Sequence, residues 1–302
     1  MEEFQTGTRA GWVKHEANPV LGGSYGVCFD ISVLKKDKGY KMFFSWRTMR
    51  SIAVTDSEDG INWSEPQICV APREREGGWE DNINRPGVVY KDGVYHLWYT
   101  GQEQPGSREG SSRIFYAKSS DGLHFERREE PVLTAELVWE KQSVMNPDVM
   151  WDEEEHLFKM WYSGGEKYEP DAIGHAVSED GIHWKKKGDP VFEPNPDNTW
   201  EQCKVAGCHV EKVSDGYIIF YIGYQNEDYA QIGLAKSPNG VSDWHRHPEN
   251  PIIAPDPGKW DGEACYKPYP IYDGEKWMLW YNGRVGHNEQ IGVATHMGYD
   301  LF

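Results

Sequence analysis

One short pattern recurs five times along this chain and limits its fold more than any other feature. It reads as an aromatic residue, two intervening residues, two large rings or their apolar stand-ins, and a closing residue. The copies are Tyr40–Ser45, Tyr95–Thr100, Phe158–Ser163, Tyr217–Ile222 and Trp277–Asn282. The paired-ring position falls at Phe43, Trp98, Trp161, Phe220 and Trp280, at spacings of 55, 63, 59 and 60 residues. A second pattern follows each copy after a loop: Ile52–Thr55, Ile114–Ala117, Ile173–Ala176, Ile232–Ala235 and Ile291–Ala294. Next comes a turn and another aromatic, as in Asp59-Gly60 to Trp63, Asp121-Gly122 to Phe125, Asp180-Gly181 to Trp184 and Asn239-Gly240 to Trp244. Asp-Gly and Asn-Gly supply the positive φ angles of tight turns. Another apolar strand and turn precede each paired-ring strand, as in Val88–Tyr90 before Asp92-Gly93 and Pro270–Tyr272 before Asp273-Gly274. Each repeat therefore holds four strands of an antiparallel meander, and no stretch shows a sustained helical period.

Four-stranded sheets repeated radially make a β-propeller. The expected fold is all-β, a five-bladed β-propeller of four-stranded antiparallel blades, with 1–302 as a single domain. The blades fall at 22–68, 82–133, 144–192, 203–253 and 264–302, the last completed by 11–21. The fifth repeat ends at Leu301-Phe302 without its outer strand. Gly11–Lys14 through Pro19–Leu21 resembles the outer-strand segment from Gly181 to Phe192. The N-terminal strand should therefore close the last blade and leave no free sheet edge. This architecture also accounts for the composition. Rings are 14% of a chain that is only 38% hydrophobic, because each blade needs its own set.

The formal charge of −18 argues against nucleic acid or an anionic membrane as partner. The first residues carry no basic and apolar signal pattern, and five cysteines do not imply a disulfide framework. A cytoplasmic protein is expected.

Strand A of each blade lines the axis in such a fold. The D–A and B–C connections share one face, and here they are the long, chemically varied ones. Function on a repeat scaffold sits where loops vary. The polar residues at the starts of the A strands should converge there: Asp30; Asp81, Asn84 and Arg85; Asn146 and Asp148; Lys204 and His209; Glu263, Tyr266 and Lys267. Trp46 and Arg47 join them from a B–C loop, and Trp46, Tyr168 and Tyr266 are the rings placed to touch a ligand. Carboxylates, amides, cations and rings together suit a small neutral carbohydrate. Two carboxylates across a channel are the minimum apparatus for glycosidic cleavage.

The repeated strands and the segment Ile173–Trp184 resemble the five-bladed propeller glycosidases, the glycoside hydrolase families 32, 43, 62, 117 and 130. The resemblance covers essentially the whole chain. It implies an Asp opening strand A of blade 1, a second Asp on a later inner strand and a Glu one blade on. Asp30 takes the first place, Asp148 the second and Glu201 the third, with Glu263 as the other acid. On that basis Asp30 is the base, Asp148 modulates and orients, and Glu201 or Glu263 is the acid. The local pattern departs from the family at the second acid, where Asn146 precedes Pro147. Glu201 follows Trp200, but Glu80, Glu140 and Asp261 also follow a Trp, which is the mark of a structural device. The reading is an exo-acting glycosidase on a short oligosaccharide or furanoside. Two alternatives stand beside it: a phosphate-dependent phosphorylase using Arg47, Arg85, Lys267 and Arg284, and a non-catalytic glycan-binding propeller. No cofactor and no metal ligands are expected. Some relatives hold a channel ion such as calcium, but no Cys or His spacing here supports one.

Overall fold

The computed structural model describes residues 4–73, 78–102, 111–166 and 169–302. It is all-β, and its sheets are four-stranded antiparallel meanders. β1 (Val13–Lys14) stands alone at the N-terminus. The first meander is β2 (Cys28–Lys35), β3 (Tyr40–Trp46), β4 (Ser51–Ser57) and β5 (Gln67–Val70). The second is β6 (Asn82–Lys91), β7 (Val94–Gln102), β8 (Ser112–Ser119) and β9 (Glu126–Arg127). The third is β10 (Ser143–Asp152), β11 (Leu157–Glu166), β12 (Glu169–Ser178) and β13 (Lys185–Lys186). The fourth is β14 (Lys204–Val213), β15 (Gly216–Tyr224), β16 (Ala230–Ser237) and β17 (His245–Arg246). The last is β18 (Ala264–Tyr272), β19 (Lys276–Val285) and β20 (Asn288–Met297), and β1 pairs with β20 as its fourth strand. A parallel bridge from Ser143 to Ser112 joins the second and third meanders.

The turns follow from their sequence. Gly60 sits at φ +77°, and its N–H donates to Ser57 Oγ at 2.8 Å. The Asp59 carboxylate takes the next two N–H groups, of Ile61 and Asn62. The same Ser-x-Asp/Asn-Gly arrangement recurs at Ser119, Ser178 and Ser237. A side-chain oxygen that satisfies turn amides is what favours Asp and Asn here.

Alternate residues of each strand face opposite neighbours, so both faces of every sheet are apolar and the core is a series of seams. Phe43 and Val54 of the first sheet pack on Leu97, Tyr99 and Phe115 of the second. Trp98, Ile114 and Tyr116 pack on Phe158, Met160 and Tyr162 of the third. Trp161 and Ile173 meet Ile219, Tyr221 and Ala235 of the fourth. Phe220, Ile232 and Leu234 meet Trp277, Leu279 and Tyr281 of the last. Met278, Trp280, Ile291 and Val293 of the last meet Ile31, Val33, Met42 and Phe44 of the first. Three indoles also tie one sheet to the following turn: Trp98 Nε1 to Gly181 O, Trp161 Nε1 to Gly240 O and Trp280 Nε1 to Gly60 O, each at 2.8 Å.

Candidate active site

Each of the first strands β2, β6, β10, β14 and β18 carries a β-bulge near its start. At four of the five the bulge holds a non-glycine residue in the left-handed region: Asp30 at φ 50°, Arg85 at 55°, Asn146 at 54° and Lys267 at 50°. Gly207 stands at the fifth, where an added Cβ would meet the Asn146 amide at 3.1 Å. Bulges re-aim side chains, and left-handed non-glycine residues mark functional sites. Three of the four residues precede a proline, which disfavours the right-handed region for them.

Asp30, Arg85 and Asn146 open into a cavity of about 190 Å³. Its wall continues with Phe29, Ala206, Ile222, Tyr224 and Tyr266, with Arg47, Glu227 and Asp228 from the connections between second and third strands, and with Arg284 and Glu289 from the facing ends of β19 and β20. Asp30 is buried, and its Oδ2 lies 3.6 Å from Arg85 Nε. Arg85 is aimed by Asn84, whose Oδ1 accepts from Nη1 at 2.8 Å. The Arg47 guanidinium sits over the Phe29 ring at 4.4 Å and 3.7 Å from Glu289 Oε2. Arg284 Nη2 donates to Asp228 O at 2.8 Å. Several buried polar atoms around this cavity have no hydrogen-bond partner among the described residues: Asp30 Oδ2, Arg284 Nε, Glu289 Oε2 and Tyr266 Oη, with both amide atoms of Asn282 opposite Tyr266 in the ladder. Such groups are costly unless a ligand or water completes them.

Burial pushes the Glu289 carboxyl up and the Asp30 charge adds to the rise, while Arg47, Tyr266 and Arg284 oppose it. Burial, with the charges of Glu289 and Asp30, holds the Tyr266 phenol well above its ordinary range. At the rim, Glu227 is held low by its hydrogen bond to Lys204, at 2.8 Å.

Of the residues expected from sequence, Asp30, Arg47, Arg85, Asn146 and Tyr266 line this cavity. The other three carboxylates are placed differently. Asp148 is tied across to the fourth sheet, accepting from Val210 N and bonding His209 Nδ1, both at 2.9 Å. Ser32, in the same place on β2, accepts from Val88 N in the same way. Burial acts to lower the His209 pKa, but Asp148 and Glu211 outweigh it and bring it to about 9. Glu201 is fully buried, accepting from Tyr221 Oη at 3.0 Å and pairing with Arg246 Nε at 2.8 Å. Glu263 is exposed and accepts the Gly286 N–H at 2.7 Å, anchoring the β19–β20 hairpin.

Among the remaining candidates, Trp46 donates to Tyr25 O, and the Asp81 carbonyl accepts from Arg50. Asn84 is buried against Gln102, and Lys204 pairs with Glu227. His209 packs on Tyr269 at 4.1 Å. Lys267 is buried and makes no hydrogen bond or ion pair among the described residues. Tyr168 lies outside the described residues. The four cysteines near the inner strands do not gather: Cys28, Cys208 and Cys265 are buried in the seams and Cys203 is exposed. Among the described residues no three His, Cys, Asp or Glu side chains form a metal-holding group. Sequence reasoning did not single out Glu289, Glu227 or Asp228. Their only signal is position in the variable connections of the chosen face.

The sequence profile of glycosyl hydrolases family 43 matches residues 17–298. The chain belongs to this family. A curated relative, the 1,2-β-oligomannan phosphorylase of Thermoanaerobacter sp. (strain X514), is 28% identical over 232 residues, covering 74% of this chain and 72% of its own. Two solved structures share the fold of this family-43 chain. One is a glycoside hydrolase with a TM-score of 0.75 at 17% identity, covering 98% of this chain and 92% of its own. The other is a thermostable family-43 glycoside hydrolase with a TM-score of 0.72 at 19% identity, covering 91% of each. Among the described residues no helix is long and apolar enough to cross a membrane.

Proposed function

We propose that the chain cleaves a glycosidic bond of a short oligosaccharide in this cavity, with Asp30 as the carboxylate that activates the attacking water. The observation that carries the reading is the group of buried polar atoms around Asp30 that make no hydrogen bond among the described residues, with only the longer ion pairs of Asp30 to Arg85 and Glu289 to Arg47 beside them. A polyhydroxyl ligand would use that hydrogen-bonding capacity. Phe29, Tyr224 and Tyr266 offer ring surface in the same wall. Asp30 is the one carboxylate among the five bulge residues. As base it takes the proton of a water whose oxygen bonds to the anomeric carbon. We read the five sheets as a closed ring of five blades in one domain, supported by the seam that joins the last sheet to the first. The five free cysteines fit a reducing, cytoplasmic setting.

A second reading has its own support. Two of the bulges carry cations, Arg85 and Lys267, and Lys267 is buried without an anion among the described residues. Arg85 lines the cavity with Arg47 and Arg284, and these three would receive inorganic phosphate in place of water; a phosphorylase is among the relatives. The test is turnover of aryl furanosides, aryl pyranosides and β-1,2-linked manno-oligosaccharides, with and without phosphate. Turnover without phosphate supports hydrolysis, and a strict requirement for phosphate supports the second reading. Glycan binding without turnover of any glycoside overturns both.

A further inference from the structure

The acids expected from sequence, Glu201 and Glu263, and the orienting Asp148 are committed elsewhere. Glu201 is consumed by Tyr221 and Arg246, Asp148 by His209 and Val210, and Glu263 by the Gly286 amide. Glu227 is largely exposed and ion-paired to Lys204, which keeps it ionised. Asp228 is exposed. Glu289 differs from all of these. It lies in β20 directly opposite Arg284, lines the cavity with Asp30, and its Oε2 is buried with no hydrogen-bond partner among the described residues.

We propose that Glu289 is the proton donor to the leaving glycosidic oxygen, an inference that rests on the glycosidase or phosphorylase reading of the same site. The protonated carboxyl gives its proton to the bridging oxygen as the bond from that oxygen to the anomeric carbon breaks, and the bond's electron pair stays on the oxygen. The anomeric carbon gains its new bond from water, whose proton passes to Asp30, or from inorganic phosphate in the second reading. Glu289 is left as a carboxylate facing Arg47 at 3.7 Å and Arg284 across the ladder, which stabilise the charge formed. The groups facing it are Asp30 on β2, Arg47 after β3, Tyr266 on β18 and Arg284 on β19. Burial and Asp30 hold the proton on, so the acid form persists above the usual carboxylate range. The hairpin is held on both sides, by Glu263 at Gly286 and by Arg284 reaching Asp228 O. A donor must be fixed relative to the bond it protonates.

The experiment uses a glycoside that the full chain turns over, as a matched pair: the natural sugar leaving group and a dinitrophenyl leaving group that departs without protonation. Glu289→Gln should lose roughly 10²–10⁴-fold in kcat on the unactivated glycoside and less than about tenfold on the activated one. It should also lose the alkaline limb of the kcat/KM pH profile. Glu289→Asp, which keeps an acid, should recover part of the unactivated rate. Equal losses on both leaving groups, or an unchanged alkaline limb, overturn the assignment and leave the proposed function standing. A wild-type chain that turns over no glycoside overturns both. If Glu289→Gln does not fold, Glu289→Asp decides alone, through a leaving-group dependence steeper than wild type.

Discussion

Asp30 carries two costs that a structural residue would shed. It holds a left-handed φ of 50°, and its buried Oδ2 has no hydrogen bond among the described residues. Each left-handed non-glycine residue costs about 1–3 kcal/mol. Asp30→Gly should therefore hold or raise stability, by up to about 1 kcal/mol, because glycine adopts this φ without strain. It should abolish turnover. A thermal melt and a rate on the same sample check this, and a destabilised Gly variant would make Asp30 a structural residue. His209 makes the opposite case. Its folded pKa of about 9 exceeds the ordinary 6.5, so its stabilisation is complete below pH ~6.5 and lost as pH rises through ~9. Wild-type stability should fall by about 2–3 kcal/mol across that window, and His209→Gln should flatten the curve. Melting midpoints from pH 6 to 10 measure it.

The carboxylate after the Trp belongs to a device that recurs at the scale of the element. Glu80 meets Tyr99 and Arg127, Glu140 meets Tyr162 and Lys186, Glu201 meets Tyr221 and Arg246, and Asp261 meets Tyr281 and Lys14. In each, a buried acid before the inner strand joins a tyrosine of the second strand to a cation of the outer one. The sheet is thereby pinned by a buried, ion-paired charge. Glu201→Gln should cost about 3–5 kcal/mol by stranding Arg246, and Tyr221→Phe about 1–3 kcal/mol, with kcat/KM of the surviving fold unchanged. Urea unfolding and steady-state rates test this, and a large loss of kcat/KM at full folding would restore Glu201 to the chemistry. The recurrence itself was legible in sequence, because four Trp-acid pairs at repeat spacing are visible without coordinates. The strands and turns were legible for the same reason. The partners were not, since Tyr221 and Arg246 reach Glu201 across a sheet. Asp148 was misplaced because the bulge after Met145 shifts the register. That shift leaves Asn146 at the cavity and puts Asp148 in the place Ser32 holds on β2. Glu289 gave no repeat signal at all, since Ser112, Pro170 and Ala230 occupy its ladder position in the second, third and fourth sheets.

At the scale of the whole molecule, stability and chemistry meet at one seam. Asp30 and Arg47 come from the first sheet, and Tyr266, Arg284 and Glu289 from the last, so the proposed site exists only while these two sheets are held together. The fourth strand of the last sheet is β1, from the opposite end of the chain, and Lys14 on it pairs with buried Asp261 at 2.7 Å. Phe4 and Gln5 continue that segment onto Tyr229, beside Glu227 and Asp228. Losing this clasp should loosen the last sheet before the remaining sheets melt, because Trp12 of the N-terminal segment packs into its seam with the fourth sheet and Leu21 into its seam with the first. Lys14→Met strands a buried carboxylate and should cost about 3–5 kcal/mol, while adding Asp261→Asn should return part of it. In a urea titration of Lys14→Met, activity should vanish at a lower concentration than the far-ultraviolet signal of the sheets. In wild type the two losses should coincide. Coincident losses in the variant would mean that the sheets yield as one unit and that the clasp adds stability without governing the site.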